Sequence, residues 1–255
     1  MLLAVDVGNT ETVLGVFSDR ELARQWRIST VADRTADELA LMFGGLLEHQ
    51  DLSFDRNVTA VVIASVVPTA TQALREMVRR YFGFRPLVVE PGVKTGIPVL
   101  TDNPKEVGAD RVLNAVAAID LHGAPAIVVD FGTATTFDAV SENGEYVGGV
   151  IAPGVQISAA ALYEHTARLP RVELVAPSSV IGKNTVESVQ SGIMFGYASM
   201  VDGVIERIAK ELGEPTVIAT GGLAPVMIEE CRSIDHHEPW LTLQGLRIVF
   251  ERNTG

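Results

Sequence analysis

Residues 2–10 read LLAVDVGNT, and residues 126–134 read AIVVDFGTA. In both stretches an apolar, β-prone run ends in Asp-x-Gly and is followed by small polar residues, so that Asp6 aligns with Asp130. A second apolar run, a charged turn and a third run then follow in both halves. Each half is therefore predicted to open with three short strands joined as two hairpins. An echo on this scale indicates a duplicated module.

Helix and strand signals follow each set of hairpins. In the first half, Thr35 and Glu38 form a capping-box pattern, and the continuous apolar run 58–67 is typical of a strand buried on both faces. In the second half, Asn184 caps a long predicted helix, and residues 215–222 predict a strand that ends in a glycine turn. These patterns predict an α/β fold.

The predicted architecture is two duplicated domains of the ribonuclease H-like, actin-like ATPase kind, with a central cleft between them. We place the N-terminal domain at residues 1–115 and the C-terminal domain at residues 116–255. A chain of 255 residues is long enough for two such domains.

Composition narrows the function classes. Apolar residues make up 47% of the chain and charged residues 20%, which is typical of a globular protein. The net charge of −12 argues against a nucleic-acid partner, and no apolar run is long enough to span a membrane. A single cysteine, Cys231, excludes an intrachain disulfide. We therefore expect a cytoplasmic protein that binds neither nucleic acid nor membranes.

The first Asp-x-Gly turn has the residues of a phosphate site. Gly8 lets the backbone approach a ligand closely, and the hydroxyls of Thr10 and Thr12 can donate to phosphate oxygens. Asp6 is placed to hold a hydrated Mg²⁺, which prefers one or two carboxylates plus phosphate oxygens. For this turn alone, an ordinary hairpin is the alternative.

The second turn, from Asp130 to Thr136, bears on the choice between a phosphate site and an ordinary hairpin. By itself it also reads as a hairpin turn rich in β-forming residues. Two such turns at the strand ends of duplicated domains would face each other across a cleft. The pair therefore favours a site that holds a polyphosphate and its metal ion from both sides.

A third segment, residues 103–111, supplies a carboxylate and a cation. Asp110 and Arg111 lie at the predicted start of a helix, where anions are favoured. Phosphoryl transfer to an alcohol needs a carboxylate that accepts the hydroxyl proton, which is the role that Asp110 could take. Alternatively, Asp110 only caps the helix and Arg111 pairs with it.

Two weaker segments lie in the second half. Residues 182–185 read GKNT at a predicted helix start, where Thr185 could bind a polar ligand, although a cap is the commoner role for such a segment. The Gly-Gly turn at residues 220–223 could let an adenine lie flat against the backbone. Neither segment carries a function alone.

These residues resemble the acetate and sugar kinase, heat-shock chaperone and actin superfamily, and within it the type III pantothenate kinases. The resemblance runs nearly end to end, and its most specific segments read GADR at 108–111 and DFGTATT at 130–136. It implies ATP-dependent phosphorylation of pantothenate to 4′-phosphopantothenate, the first step of coenzyme A biosynthesis. It also implies Mg²⁺, a monovalent cation (K⁺ or NH₄⁺) and a homodimer with the long helix near its interface.

The resemblance also assigns roles to residues. Asp110 would be the catalytic proton acceptor, Asp130 the ligand of the monovalent cation, and Asp6 the residue that holds Mg²⁺ through the phosphates. The implied ATP-binding residues are Asp6, Val7, Gly8, Asn9, Thr10, Glu11, Thr12, Val13 and Thr133. The implied pantothenate-binding residues are Gly108, Ala109, Asp110, Arg111 and Thr185.

One position departs from the family pattern, because Thr101 stands where many relatives carry a tyrosine that lines the pantothenate site. The alternatives are a kinase of this superfamily for another small hydroxylated substrate, and a non-catalytic nucleotide-binding regulator. A nuclease of the ribonuclease H type shares the strand order but needs a basic surface, which the net charge opposes.

Overall fold

The computed structural model describes residues 1–255, apart from the side chain of Asp55, and the chain forms two compact units. The first unit comprises Met1–Gly96, Asn103–Ala117 and Thr242–Gly255. The second comprises Ile97–Asp102 and Ala118–Leu241.

Each unit contains one five-stranded mixed sheet. The strands of the first unit are β1 (Leu2–Val7), β2 (Glu11–Ser18), β3 (Glu21–Ser29), β4 (Ala60–Ser65) and β5 (Leu87–Val88). Those of the second are β6 (Ala126–Phe131), β7 (Ala134–Val140), β8 (Tyr146–Pro153), β9 (Thr216–Thr220) and β10 (His236–His237).

The two sheets have the same topology. Their orders are β3-β2-β1-β4-β5 and β8-β7-β6-β9-β10, with two antiparallel hairpins followed by two parallel neighbours in each. The predicted duplication of an α/β module is therefore confirmed. The predicted cleft between the domains stays a prediction.

Eight α-helices accompany the sheets in the part of the chain described here. They are α1 (Ala36–Glu48), α2 (Phe54–Asn57), α3 (Pro68–Met77), α4 (Ala109–His122), α5 (Val155–Glu164), α6 (Thr185–Leu212), α7 (Ala224–Met227) and α8 (Leu241–Thr254). A π-helical turn, Val78–Phe82, continues α3, and a 3₁₀ turn, Pro104–Glu106, precedes α4.

The predicted caps are confirmed at two helix starts. The Thr35 hydroxyl accepts from the backbone N–H of Glu38, and the Glu38 carboxylate accepts from the N–H of Thr35, which completes a capping box on α1. The Asn184 side chain accepts from the N–H of Glu187 at 3.0 Å at the start of α6. These bonds satisfy N–H groups that have no partner within a helix.

The core of each unit lies between one sheet face and its helices. In the first, Val5 and Ile63 of the sheet pack with Phe43 of α1. In the second, Val129 packs with Ile193 of α6. All five side chains are buried, and burial of each contributes about 1.5–3 kcal/mol.

The last helix, α8, packs within the first unit. The predicted ranges 1–115 and 116–255 instead assign this helix to the C-terminal domain. A Cβ on Gly15 of β2 would lie 2.7 Å from Leu243 Cδ1, and a Cβ on Gly245 would overlap the carbonyl oxygen of Leu113 in α4. Such close packing joins α8 to β2 and α4. Residues 97–102 instead run beside β8, where Leu100 N donates to Tyr146 O at 2.8 Å.

None of the helices in the described part of the chain is both long and apolar enough to cross a bilayer.

The lone cysteine is protected from ionisation. Burial, together with the nearby carboxylates of Asp202 and Glu230, raises the pKa of the Cys231 thiol to about 12. We expect the folded protein to react with iodoacetamide at about pH 8 roughly 10²–10³-fold more slowly than the urea-unfolded protein, because only the thiolate is nucleophilic. Mass spectrometry over time measures both rates, and equal rates would contradict the shifted pKa.

Candidate active site

The first Asp-x-Gly motif forms the turn between β1 and β2. Val7 pairs with Thr12 across the hairpin, and Gly8 N donates to Glu11 O at 2.9 Å to close the turn. Three of the predicted ATP-binding residues are exposed on this turn, namely Asn9, Thr10 and Glu11. The turn is therefore accessible to a ligand.

The other side chains of this motif are engaged within the protein. Val7 is 2% exposed and belongs to the core, so it can offer a ligand only its peptide group. The Glu11 carboxylate lies 2.7 Å from Arg27 Nη1. This cation offsets a negative charge that would otherwise repel phosphate groups.

Helix α8 connects the sheet face of Asp6 with α4. Successive side chains of a strand point to opposite faces of the sheet. Asp6 of β1 pairs with Val13 of β2, and Gly15 lies two residues after Val13, so Gly15 is on the same face as Asp6. Gly15 contacts Leu243 of α8, and Gly245 of α8 contacts Leu113 of α4. That face is therefore covered by α8, and the helix that begins with the GADR segment packs on α8.

The carboxylate of Asp110 folds back over Gly108. It lies so close that a Cβ on Gly108 would overlap Asp110 Oδ1. Both residues lie at the start of α4, as predicted. Among the residues described, no hydrogen bond or ion pair joins this carboxylate to Arg111 or to any other side chain. The alternative in which Arg111 pairs with Asp110 is therefore not what the structure shows.

In the second unit, the Asp130 turn meets the late Gly-Gly turn. Asp130 lies beside Thr220 on the neighbouring parallel strand, and a Cβ on Gly221 would overlap Asp130 Oδ1. Gly221 has φ 94°, in the region that favours glycine. Only glycine therefore lets the Asp130 carboxylate lie over this backbone, a contact that sequence reasoning did not predict.

The predicted ATP contact Thr133 lies against the start of α5. A Cβ on Gly154 would overlap Thr133 O and lie 2.8 Å from Gly132 O. Sequence reasoning missed α5, because its N-cap is Gly154, which offers no side-chain signal. The preceding PG dipeptide, at residues 153–154, reads as a turn.

Thr185 lines a groove of about 650 Å³ in the second unit. Since Asn184 supplies the cap of α6, the Thr185 side chain does not have that role. Residues of α6 with helical spacing line the groove, together with Lys183 and Ser158, and they include Thr185, Ser188, Val189, Gly192, Ile193 and Tyr197. This spacing was the sequence signal that could have identified the groove.

The Tyr197 hydroxyl joins the two helices that border the groove. It donates to Pro153 O at 3.1 Å and contacts the Ser158 hydroxyl of α5.

Thr101, the departure from the family pattern, lies in the segment beside β8. Its hydroxyl oxygen is buried and has no hydrogen-bond partner among the described residues.

Comparison with known proteins decides the family. The sequence pattern described as type III pantothenate kinase matches residues 2–207. The chain belongs to the type III pantothenate kinase family. It is 59% identical to the type III pantothenate kinase of Streptomyces coelicolor, over 99% of this chain and 98% of that protein. Identity to the Moorella thermoacetica member is 55%, with 100% of both chains covered.

A solved structure supports the fold of this family member. Component A of the (R)-2-hydroxyglutaryl-CoA dehydratase of Acidaminococcus fermentans matches with a TM-score of 0.60 and 14% identity, covering 100% of this chain and 99% of that one. The predicted class of actin-like ATPase domains is confirmed.

The assignment also confirms the resemblance drawn from the GADR and DFGTATT segments. The part of the chain that matches the family pattern contains every predicted site residue, from Asp6 to Thr185. The individual role of each residue stays a prediction.

Proposed function

We propose that this protein transfers the γ-phosphoryl group of ATP to the primary hydroxyl of pantothenate, giving ADP and 4′-phosphopantothenate for coenzyme A synthesis. The observation that carries the proposal is 59% identity, over 99% of the chain, to a relative named type III pantothenate kinase. The carboxylates that this chemistry needs, Asp6, Asp110 and Asp130, are all present.

Asp110 is the proposed proton acceptor. As the pantothenate oxygen forms its bond to the γ-phosphorus, the bond from that phosphorus to the bridging oxygen of ADP breaks, and the hydroxyl proton moves to the Asp110 carboxylate. The position of this carboxylate over Gly108, without a protein partner among the described residues, supports the role. Its place at the start of α4 also favours a nearby anion.

Residues Asp6 to Val13 and Thr133 are the proposed ATP-binding residues. The exposed turn at Asn9 and Thr10 offers donors to phosphate oxygens, and Gly8 permits close approach. Mg²⁺ would be held by Asp6 together with the phosphates, where it offsets their negative charge. No cluster of three or more acidic, histidine or cysteine ligands occurs in the described part of the chain. The single carboxylate of Asp6 suits a magnesium ion that is ligated mainly by phosphate and water.

Asp130 is the proposed ligand of a monovalent cation, K⁺ or NH₄⁺. Its carboxylate lies over Gly221, where backbone comes close without an intervening side chain. A carboxylate and backbone carbonyl oxygens are suitable ligands for such a cation.

Pantothenate would be bound by residues 108–111 and by Thr185. The guanidinium of Arg111 suits the pantothenate carboxylate, because it can donate two parallel hydrogen bonds. The groove at Thr185 adds hydroxyl groups and Lys183, which suit a small polar anion. We expect the presence of Thr101, where many relatives carry a tyrosine, to affect the affinity for pantothenate and not the reaction.

We also propose a homodimer that includes α5 and α6. Apolar side chains on these helices are exposed at Ile157 (49%), Leu162 (37%) and Val186 (44%), and burial of such residues favours association. With one cysteine in the chain, the reducing cytoplasm is the proposed compartment.

A coupled assay of ADP release tests the function. We expect ADP release to require pantothenate, and the rate to fall when Na⁺ replaces K⁺ at constant ionic strength. ADP release that is equal with and without pantothenate would contradict the proposal. A panel of other small hydroxylated acids and sugars is the control, because a faster rate with one of them would identify a different substrate.

A further inference from the structure

Thr30, just after β3, contacts the first Asp-x-Gly turn at two points. Its backbone N–H donates to Thr10 O at 2.9 Å. Its hydroxyl oxygen lies 2.8 Å from that of Thr12. One residue outside the turn therefore holds both the backbone and a side chain of the proposed ATP loop.

The hydroxyl pair fixes the position of the Thr12 side chain at the base of the turn. Each hydroxyl has one proton and can accept further hydrogen bonds, so two hydroxyls at 2.8 Å share a single proton between them. Thr12 pairs with Val7 of the core, so the hydroxyl pair lies on the core face of the sheet and anchors the start of β2 to the chain just after β3. Thr12 is only 6% exposed, so water competes weakly for this bond.

A side-chain ion pair also joins β3 to the turn, and it is the weaker of the two side-chain links. Arg27 and Glu11 form an ion pair at 2.7 Å, but their side chains are 32% and 47% exposed. Ion pairs with this exposure contribute little in water and are screened by salt. The Thr30 hydroxyl bond is therefore the less exposed of these two side-chain links, and it adds to the backbone pairing of Glu11 with Ser29.

We infer that Thr30 is a positioning residue for the triphosphate of ATP. It holds the carbonyl of Thr10 and anchors the Thr12 side chain, and so fixes both sides of the turn without itself contacting the nucleotide. This inference rests on the proposed function, because it assumes that the β1–β2 turn binds ATP.

Substitutions at Thr30 test the inference. Thr30→Val keeps the shape but removes the hydroxyl, and we expect it to raise KM for ATP about 3- to 10-fold, the effect of losing one hydrogen bond. We expect kcat and KM for pantothenate to change by less than about twofold, since their groups are untouched. Thr30→Ser keeps the hydroxyl and should restore ATP affinity. Thr30→Ala provides the same comparison if the valine methyl group is not accommodated.

Thr59→Val is the matched control. Thr59 is an exposed threonine at the opposite end of β1 from Asp6, beside Met1. We expect its kinetic constants to equal those of the wild type. Unchanged KM for ATP in Thr30→Val, or equal losses in Thr30→Ser and Thr30→Val, would overturn the inference.

Calorimetric titration with a non-hydrolysable ATP analogue and Mg²⁺ separates this inference from the proposed function. If the wild type binds the analogue but does not phosphorylate pantothenate, the proposed function fails, while weaker binding by Thr30→Val still supports the inference. If the wild type does not bind the analogue, both are wrong.

Discussion

Asp110→Asn is expected to lower kcat by about 10²–10⁴, the usual loss when a general base is removed. Asparagine has the same size and keeps a hydrogen-bonding side chain at the start of α4, but it cannot accept the hydroxyl proton. Binding of ATP should persist, because the proposed phosphate-binding residues lie elsewhere in the sequence. The ADP-release assay gives kcat, and calorimetry with a non-hydrolysable ATP analogue gives the affinity.

Asp19→Asn is the control for this substitution. Asp19 is exposed in the turn between β2 and β3 with φ 54°, a backbone conformation that asparagine also adopts. It removes the same charge without touching the site, so turnover should be unchanged. An Asp110→Asn protein with near-normal kcat would exclude Asp110 as the base.

Gly221→Ala is expected to have the largest structural effect. The new Cβ would overlap Asp130 Oδ1 and lie 2.6 Å from Phe131 N, at a residue with φ 94°. Backbone cannot move aside as a flexible side chain can, so we expect a loss of about 3 kcal/mol or more in the free energy of unfolding. This corresponds to a Tm lower by about 6–12 °C. Displacement of the Asp130 carboxylate should also weaken the response to K⁺.

Gly45→Ala is the matched control for the glycine substitution. Gly45 lies within α1, and a Cβ there would meet no atom within 4 Å. Alanine favours a helix over glycine by about 0.5–1 kcal/mol, so Tm should stay the same or rise slightly. Calorimetric melting of both variants measures the difference, and a Gly221→Ala protein with wild-type Tm would contradict the close contact.

Local interactions explain which elements were predictable. The capping box of Thr35 and Glu38 lies within one helical turn, and the strand run 60–65 is continuous in the sequence. The Asp-x-Gly echo identified both hairpins, since each hairpin is formed by neighbouring residues. Helix α5 and strand β10 were missed because neither carries a clear local signal. The first has a glycine N-cap, and the second has two residues, both histidine.

The candidate site also has a part that was predictable from the sequence and a part that was not. The residue types at Asp6, Asp110 and Asp130 were readable from sequence because carboxylates beside glycine turns and helix starts are characteristic of phosphate chemistry. Their surroundings were not readable. The contact of Asp130 with Gly221 depends on β9 lying beside β6. The pairing of Thr30 with Thr12 depends on where β3 ends against the first turn.

By itself, the sequence determined the duplicated strand order, the starts of α1 and α6 and the family, because these depend on residues close together in the chain or on motifs that recur in relatives. Only the tertiary structure decided which side chains hold the turns in place, and that α8 packs on β2 and α4. The physical reason is that these contacts join distant segments. Their partners are chosen by strand pairing and close packing, and no local pattern specifies them.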